Sequence, residues 1–136
     1  MHIRFVYIYT ASQVKTYCAF NVFSQLCPDT QNNVKIVQAG LDRIVYSSNI
    51  SNEDKKQVQK GWEIAKKAIA NDEYNLVILD EANIAIDLEL IDLNEVIKTL
   101  KNKPNNMEIV LTGRNAKQDI IDIAHLVSEI KPIKHY

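Results

Sequence analysis

The stretch Asn75-Leu76-Val77-Ile78-Leu79-Asp80-Glu81 is an apolar run of strand length that ends in two adjacent carboxylates. Such a run predicts a buried strand of a parallel sheet. In open α/β sheets the ligand crevice lies at the carboxyl ends of the strands, so Asp80 and Glu81 are expected to face that crevice. Two carboxylates there favour a site for a magnesium–nucleotide complex; the alternative is a pair of solvated acids.

Length and composition exclude several classes of protein. A chain of 136 residues predicts a single domain with one core. Its 16 Lys and Arg stand against 17 Asp and Glu without a basic cluster, which argues against binding to nucleic acid or to an anionic membrane. No signal-peptide pattern or membrane span is evident, so a cytoplasmic protein is predicted. Cys18 and Cys27 lack zinc or disulfide spacing and are expected to be small buried side chains.

Strand and helix patterns alternate along the chain. Strands are predicted over residues 3–9, 34–37, 107–111 and 126–130, in addition to the central run. Helical periodicity, capping residues and prolines predict helices over residues 15–26, 51–71, 92–100 and 116–124. Strands separated by helices imply right-handed crossovers. We therefore expect an α/β fold with a mainly parallel sheet of about five strands and helices on both faces.

Other candidate site residues lie near predicted strand ends. Arg114 follows Thr112 and Gly113 after the strand over 107–111, where it would bind a phosphate or carboxylate or form a surface salt bridge. Lys15 and Thr16 begin the helix after the first strand, a position that attracts phosphate, although an ordinary helix start is equally open.

The helix over 51–71 has an apolar face on which Trp62, Ala65 and Ile69 recur at helical spacing. This spacing indicates that Trp62 is a core residue. A platform for a flat ligand is the less favoured alternative.

Four motifs occur in one order along the chain: Gly61-Trp62-Glu63-Ile64-Ala65, Leu79-Asp80-Glu81 with Asn83, Leu111-Thr112-Gly113-Arg114, and Lys131-Pro132-Ile133-Lys134-His135. With these motifs at these separations, the sequence resembles the ATP:corrinoid adenosyltransferases of the P-loop type over residues 52–136. The resemblance implies transfer of the adenosyl group of ATP to the cobalt of a reduced corrinoid, either cob(I)alamin or cob(I)yrinic acid a,c-diamide.

The resemblance also implies the roles of individual residues. Thr10, Lys15, Thr16 and Arg114 would bind ATP, and Asp80 and Glu81 would hold Mg²⁺. No side chain is expected to be catalytic, because the cobalt is the nucleophile. A homodimer and a flavoprotein that supplies the reduced corrinoid are further implications.

The resemblance has two departures. The segment Tyr9-Thr10-Ala11-Ser12-Gln13-Val14-Lys15-Thr16-Tyr17 keeps the Lys-Thr pair of the family's phosphate loop but none of its glycines. Because non-glycine residues at positive φ cost about 1 kcal/mol each, weak ATP binding is expected. The family's C-terminal tail is expected to be missing after Tyr136. Both departures favour an alternative function, that of a non-catalytic relative that binds a corrinoid, a nucleotide or a protein partner.

Overall fold

A computed structural model describes residues 5–9, 34–41 and 45–134, with the backbone alone for residues 5–9. The architecture is mixed α/β, as predicted. In chain order the described elements are β1 (Phe5–Tyr9), β2 (Val34–Gln38), α1 (Asn52–Ala70), β3 (Leu76–Asp80), α2 (Ala82–Asp87), α3 (Leu93–Lys101), β4 (Glu108–Leu111) and α4 (Gln118–Ile123).

The four strands form one parallel sheet in the order β2-β1-β3-β4. The chain leaves β1 towards one side of the sheet to form β2, and it later forms β3 and β4 on the other side. The strand order therefore reverses between β1 and β3, which is where open α/β sheets place their ligand crevice. The register pairs Tyr9, the last residue of β1, with Asp80, the last residue of β3.

The prediction of a fifth strand over residues 126–130 is wrong. This segment has no regular secondary structure, and Leu126 and Ile130 are 84% and 95% exposed. Apolar composition predicts a strand only where a neighbouring strand supplies hydrogen bonds and a core covers the side chains. Residues 126–130 have neither, and within the described part of the chain β4 is an edge strand.

Helix α1 has the boundaries that its sequence signals predict. Ser51 is the N-cap and forms a capping box with Asp54, in which the Asp54 amide donates to Ser51 Oγ over 3.2 Å and the Ser51 amide donates to Asp54 Oδ2 over 2.7 Å. These bonds satisfy amides that the first helical turn leaves without a partner. The helix ends at the C-cap Asn71.

A close approach between α1 and the end of β2 requires Gly61. A Cβ atom added to Gly61 would lie 2.1 Å from Ala39 Cβ. The helix therefore rests directly on the chain that leaves β2. This contact positions its apolar face over the sheet.

The core lies between the sheet and helices α1 to α3. Trp62 is 3% exposed and belongs to one cluster with Val77 and Leu79 of β3 and with Val96 of α3. The prediction that Trp62 is a core residue is confirmed. Its indole Nε1 donates to Glu95 Oε2 over 2.7 Å, which ties α1 to α3.

The remaining helix predictions have different outcomes. Asp92 caps α3 as predicted, and α4 lies within the helix predicted over residues 116–124. The helix predicted over 15–26 and both cysteines fall outside the described residues, so helices on both faces of the sheet stay a prediction. Among the residues that the structure describes, no helix is long and apolar enough to cross a membrane.

Candidate functional site at the strand ends

The acidic pair lies on a sharp turn from β3 into α2. Asp80 is the last residue of β3, and Glu81 has φ 58° and ψ 18°, in the left-handed region. A non-glycine residue in this region costs about 1–2 kcal/mol, so surrounding contacts must hold it there. The turn lets α2 start immediately after the strand and keeps both carboxylates at the edge of the sheet.

Thr112, the residue after β4, makes the contacts that hold this turn. Its hydroxyl donates to Asp80 Oδ1 and accepts from the Glu81 amide over 2.9 Å. Its own amide donates to the Leu79 carbonyl over 3.1 Å, and its carbonyl accepts from the Asn83 amide, also over 3.1 Å. Thr112 therefore fixes both the orientation of the Asp80 carboxylate and the unusual backbone of Glu81.

Gly113 allows Glu81 to pack against the next loop. It has φ +112°, which L side chains rarely adopt, and a Cβ atom there would lie 3.0 Å from Glu81 Oε2 and 3.1 Å from Glu81 Cα. Glycine is thus required at this position both by the backbone conformation and by the space available.

Glu81 and Asn83 each bury an oxygen atom, Oε2 and Oδ1 respectively, to which no group among the described residues donates a hydrogen bond. Burial raises the pKa of Glu81, the charge of Asp80 raises it further, and the charge of Arg114 lowers it. Asn83 is 7% exposed, and its Nδ2 donates to the Gly113 carbonyl over 3.4 Å. Buried acceptors without a partner are rare in folded proteins, and they indicate that a donor or a cation belongs beside them.

The chemistry of these oxygens fits Mg²⁺ better than a transition metal. The described part of the chain holds no group of three or more His, Cys, Asp or Glu residues arranged to bind a metal. Mg²⁺ does not need such a group, since one or two carboxylates usually hold it and water and substrate phosphates complete its octahedral shell. Asp80 and Glu81 would supply the two carboxylates.

Asp87, at the end of α2, binds the residues that follow Arg114 in the loop after β4. Asp87 Oδ2 accepts from Asn115 Nδ2 over 2.8 Å, and Oδ1 accepts from Lys117 Nζ over 2.5 Å. These hydrogen bonds, that of Lys117 above all, lower the pKa of Asp87. Arg114 itself is exposed, and its positive charge is close enough to lower the pKa of Glu81.

The structure thus brings three of the predicted site residues, Asp80, Glu81 and Arg114, to one edge of the sheet. Thr10, Lys15 and Thr16 lie outside the described residues. They follow β1 in sequence, and the last residue of β1 pairs with Asp80.

Sequence reasoning missed the roles of Thr112, Asn83 and Asp87. Thr112 and Asn83 belong to the motifs of the family resemblance, and membership of these motifs is the sequence signal that indicates them. Asp87 stands in no motif.

The fold and this site define a parallel α/β domain with an acidic pair at the carboxyl edge of its central strands, opposite the loop of a neighbouring strand. Comparison of sequences identifies the class more closely: the family described as ATP:corrinoid adenosyltransferase BtuR/CobO/CobP matches residues 6–136. The chain belongs to this family.

Several curated relatives share part of their sequence with the chain. An uncharacterised protein of Nostoc sp. is 43% identical over 99 residues, which are 73% of this chain and 26% of that protein. A corrinoid adenosyltransferase of Sinorhizobium sp. is 47% identical over 83 residues, 60% of this chain and 39% of the relative. The corrinoid adenosyltransferase of Escherichia coli K12 is 34% identical over 74 residues, 54% and 38% of the two chains. The matched parts span less than two fifths of each of these relatives.

Proposed function

We propose that this protein transfers the adenosyl group of ATP to the cobalt of a reduced corrinoid. Its family supports this activity, and the single structural observation that carries the proposal is the acidic pair beside the β1–β3 crevice. In the reaction a bond forms between cobalt and C5′ of ATP while the bond from C5′ to the triphosphate oxygen breaks, and triphosphate leaves with that electron pair. The substrate's cobalt is the nucleophile. The protein has to align the two substrates and stabilise the leaving group.

Asp80 and Glu81 would hold the Mg²⁺ that neutralises the triphosphate. The buried Oε2 of Glu81, which accepts no hydrogen bond from the part of the chain that the structure describes, supports this role. Thr112 would keep the Asp80 carboxylate aimed at the crevice through its hydroxyl.

Thr10, Lys15, Thr16 and Arg114 would bind the nucleotide. Thr10 follows the last residue of β1, whose partner in the sheet is Asp80, so the chain enters the segment containing Lys15 beside the acidic pair. Arg114 is exposed on the loop beyond β4, and a guanidinium there would pair with phosphate oxygens.

The proposal extends beyond the site. Residues 1–136 would form a single domain of the P-loop type that works in the cytoplasm as a homodimer and receives its reduced corrinoid from a flavoprotein. Family membership supports the corrinoid as the substrate in this description.

A second candidate function is binding without catalysis, of a corrinoid, a nucleotide or a protein partner. The absence of glycine from residues 10–16 favours it. Restoring a glycine-rich loop in place of residues 10–14 separates the two functions. The enzyme should gain roughly ten- to a hundredfold in ATP affinity and form adenosylcorrinoid faster. A rebuilt protein that binds ATP tightly and makes no product would favour the binding function.

Calorimetry with MgATP tests the acidic pair directly. The double variant Asp80→Asn/Glu81→Gln should bind MgATP about a hundredfold more weakly than the wild type, because it removes both charges that would hold the metal. The matched control is Asp119→Asn/Asp122→Asn on α4, which removes two acids elsewhere and should bind as the wild type does. Equal affinity in the wild type and the strand-end variant would show that the metal assignment is wrong.

A further inference from the structure

We infer that Asp87 is a positioning residue: it holds the loop of residues 112–117 against α2 and thereby sets where the guanidinium of Arg114 lies. Its connection to the loop rests on the geometry of the structure, whereas the ligand that Arg114 meets, a nucleotide phosphate, rests on the proposed function. Asp87 touches neither the acidic pair nor Arg114 in the described hydrogen bonds and ion pairs; it acts through Asn115 and Lys117.

The loop has an anchor on each side of Arg114. On one side Thr112 is bonded to Leu79, Asp80 and the turn into α2. On the other side Asn115 and Lys117 are bonded to the two carboxylate oxygens of Asp87. Gly113 alone separates Arg114 from the first anchor, and Asn115 follows Arg114 directly. A residue between two such close anchors has little freedom to move its backbone.

The conformation of the loop also depends on the second anchor. Asn115 has φ 61°, in the left-handed region. Asparagine tolerates this region better than most residues, yet it still needs a contact that favours it. The hydrogen bond of 2.8 Å from its side chain to Asp87 is that contact. Without Asp87, Asn115 can return to a negative φ, and the direction in which Arg114 leaves the backbone then changes.

The ion pair with Lys117 strengthens the anchor. The side chain of Asp87 is 28% exposed and that of Lys117 is 40% exposed, so the pair is partly shielded from water. The arrangement is charge-assisted on both oxygens, because a carboxylate accepts from an amide and from an ammonium group. We therefore expect the anchor to persist in solution without any ligand.

The first test needs no ligand. Backbone ¹⁵N relaxation on the wild type should give order parameters near about 0.85 at Gly113 and Arg114, and Asp87→Ala should lower them below about 0.6. Leu79 and Thr112 should keep their values, since their contacts do not involve Asp87. Asp122→Ala, which removes an exposed acid from α4, serves as the matched control and should change nothing at Arg114. Unchanged order at Arg114 in Asp87→Ala would overturn the inference.

The second test uses MgATP and a double-mutant cycle. Asp87→Ala should weaken binding about fivefold, because a displaced guanidinium loses part of its bond to phosphate. In the Arg114→Ala background the same change should have no further effect. Lys117→Met should give a smaller loss that also disappears with Arg114→Ala. A loss that persists without Arg114 would mean that Asp87 acts through general stability, and the inference would fail.

The two tests separate this inference from the proposed function. If the wild type binds no MgATP, the proposed function fails, and the relaxation measurement still decides whether Asp87 orders the loop. Thermal unfolding of each variant in both backgrounds supplies the purely structural readout. If Asp87 is a positioning residue, Asp87→Ala should change the melting temperature equally with and without Arg114. It should change the affinity for MgATP only when Arg114 is present.

Discussion

Glu95, between helices α1 and α3, and Glu81, at the strand ends, are two glutamates with opposite environments. The oxygens of Glu95 accept from Trp62 Nε1 over 2.7 Å and from Lys66 Nζ over 2.6 Å. Oε2 of Glu81, by contrast, is buried without a partner among residues 5–9, 34–41 and 45–134. Hydrogen bonds from Lys66 and then from Trp62 lower the pKa of Glu95. Burial raises the pKa of Glu81.

This difference separates a polar group that stabilises the fold from one that is kept for a ligand. Between the helices, each oxygen of the carboxylate has a partner within the protein. At the strand ends, the contacts of Thr112 and Gly113 hold Glu81 in a costly conformation, and no described residue donates to one of its oxygens. Proteins retain such unsatisfied, strained groups where function requires them, and this makes Glu81 the clearest indication of the site.

Trp62→Ala should have the largest effect and should act on stability alone. The change removes a fully buried indole and its bond to Glu95, so the free energy of unfolding should fall by about 3–5 kcal/mol in urea denaturation. Trp62→Phe keeps most of the buried area and should cost about 1–2 kcal/mol. If folded Trp62→Phe bound MgATP more weakly than the wild type, the separation of the two regions would be wrong.

Gly113→Ala should affect stability and binding together. Alanine at φ +112° is strained and its Cβ meets Glu81, so we expect a loss of about 1–3 kcal/mol in unfolding free energy and weaker MgATP binding in calorimetry. Gly61→Ala serves as a comparison: its Cβ meets Ala39 rather than Glu81, so stability should fall, and the loss of MgATP affinity should be smaller than in Gly113→Ala. Unaltered binding in Gly113→Ala would argue against a site beside Glu81.

The same substitution in the two regions should have opposite signs. Glu95→Gln removes the charge that pairs with half-buried Lys66 and should destabilise by about 0.5–1 kcal/mol. Glu81→Gln removes a charge that burial disfavours and should stabilise the ligand-free protein at pH 7.5, while weakening MgATP binding. Differential scanning calorimetry of both variants gives the signs. A destabilised Glu81→Gln would show that the Glu81 charge already has a partner in the fold.

The pH dependence of these differences should be the smallest effect. The pKa of Glu81 lies above its ordinary value of 4.5, so the advantage of Glu81→Gln should be small below pH 4.5 and grow as pH rises through the folded pKa. The pKa of Glu95 lies below the same ordinary value of 4.5, so its contribution is present above pH 4.5 and disappears as pH falls through the folded pKa. The free energy of unfolding of Glu81→Gln and Glu95→Gln, each relative to the wild type, should be measured between pH 3.5 and pH 8. If the two assignments are wrong, these two differences will depend on pH in the same way.

The parts of the fold that sequence predicts well depend on neighbours in the chain. The capping residue Ser51 and the apolar face around Trp62 are local signals, and helix α1 follows them. The apolar run over residues 76–79 likewise predicts strand β3 from its own composition and length. Residues 126–130 have similar composition, yet Ile130 is 95% exposed, because composition does not show whether a partner strand is present.

The sequence predicts the acidic pair of the candidate site but not the contacts around it, because those contacts depend on residues distant in the chain. The position of Asp80 and Glu81 follows from a buried strand that ends in two acids. The role of Thr112 depends on the register between β3 and β4, which pairs Leu79 with Leu111. Helix α2 was missed because it depends on the positive φ of Glu81, a residue that has no intrinsic preference for that conformation.

The central position of β1 in the sheet has a consequence for how the molecule folds. Phe5 pairs with Val34 on one side and with Leu76 on the other, so the second pairing closes a loop that spans half of the chain. Closing such a loop costs entropy before its contacts are gained, and folding dominated by distant parallel pairings takes about milliseconds to seconds. During synthesis, β1 must also wait for β3 to leave the ribosome. A chain interrupted before residue 80 would therefore expose the edge of β1 that β3 covers in the complete sheet, the kind of surface on which chaperones act.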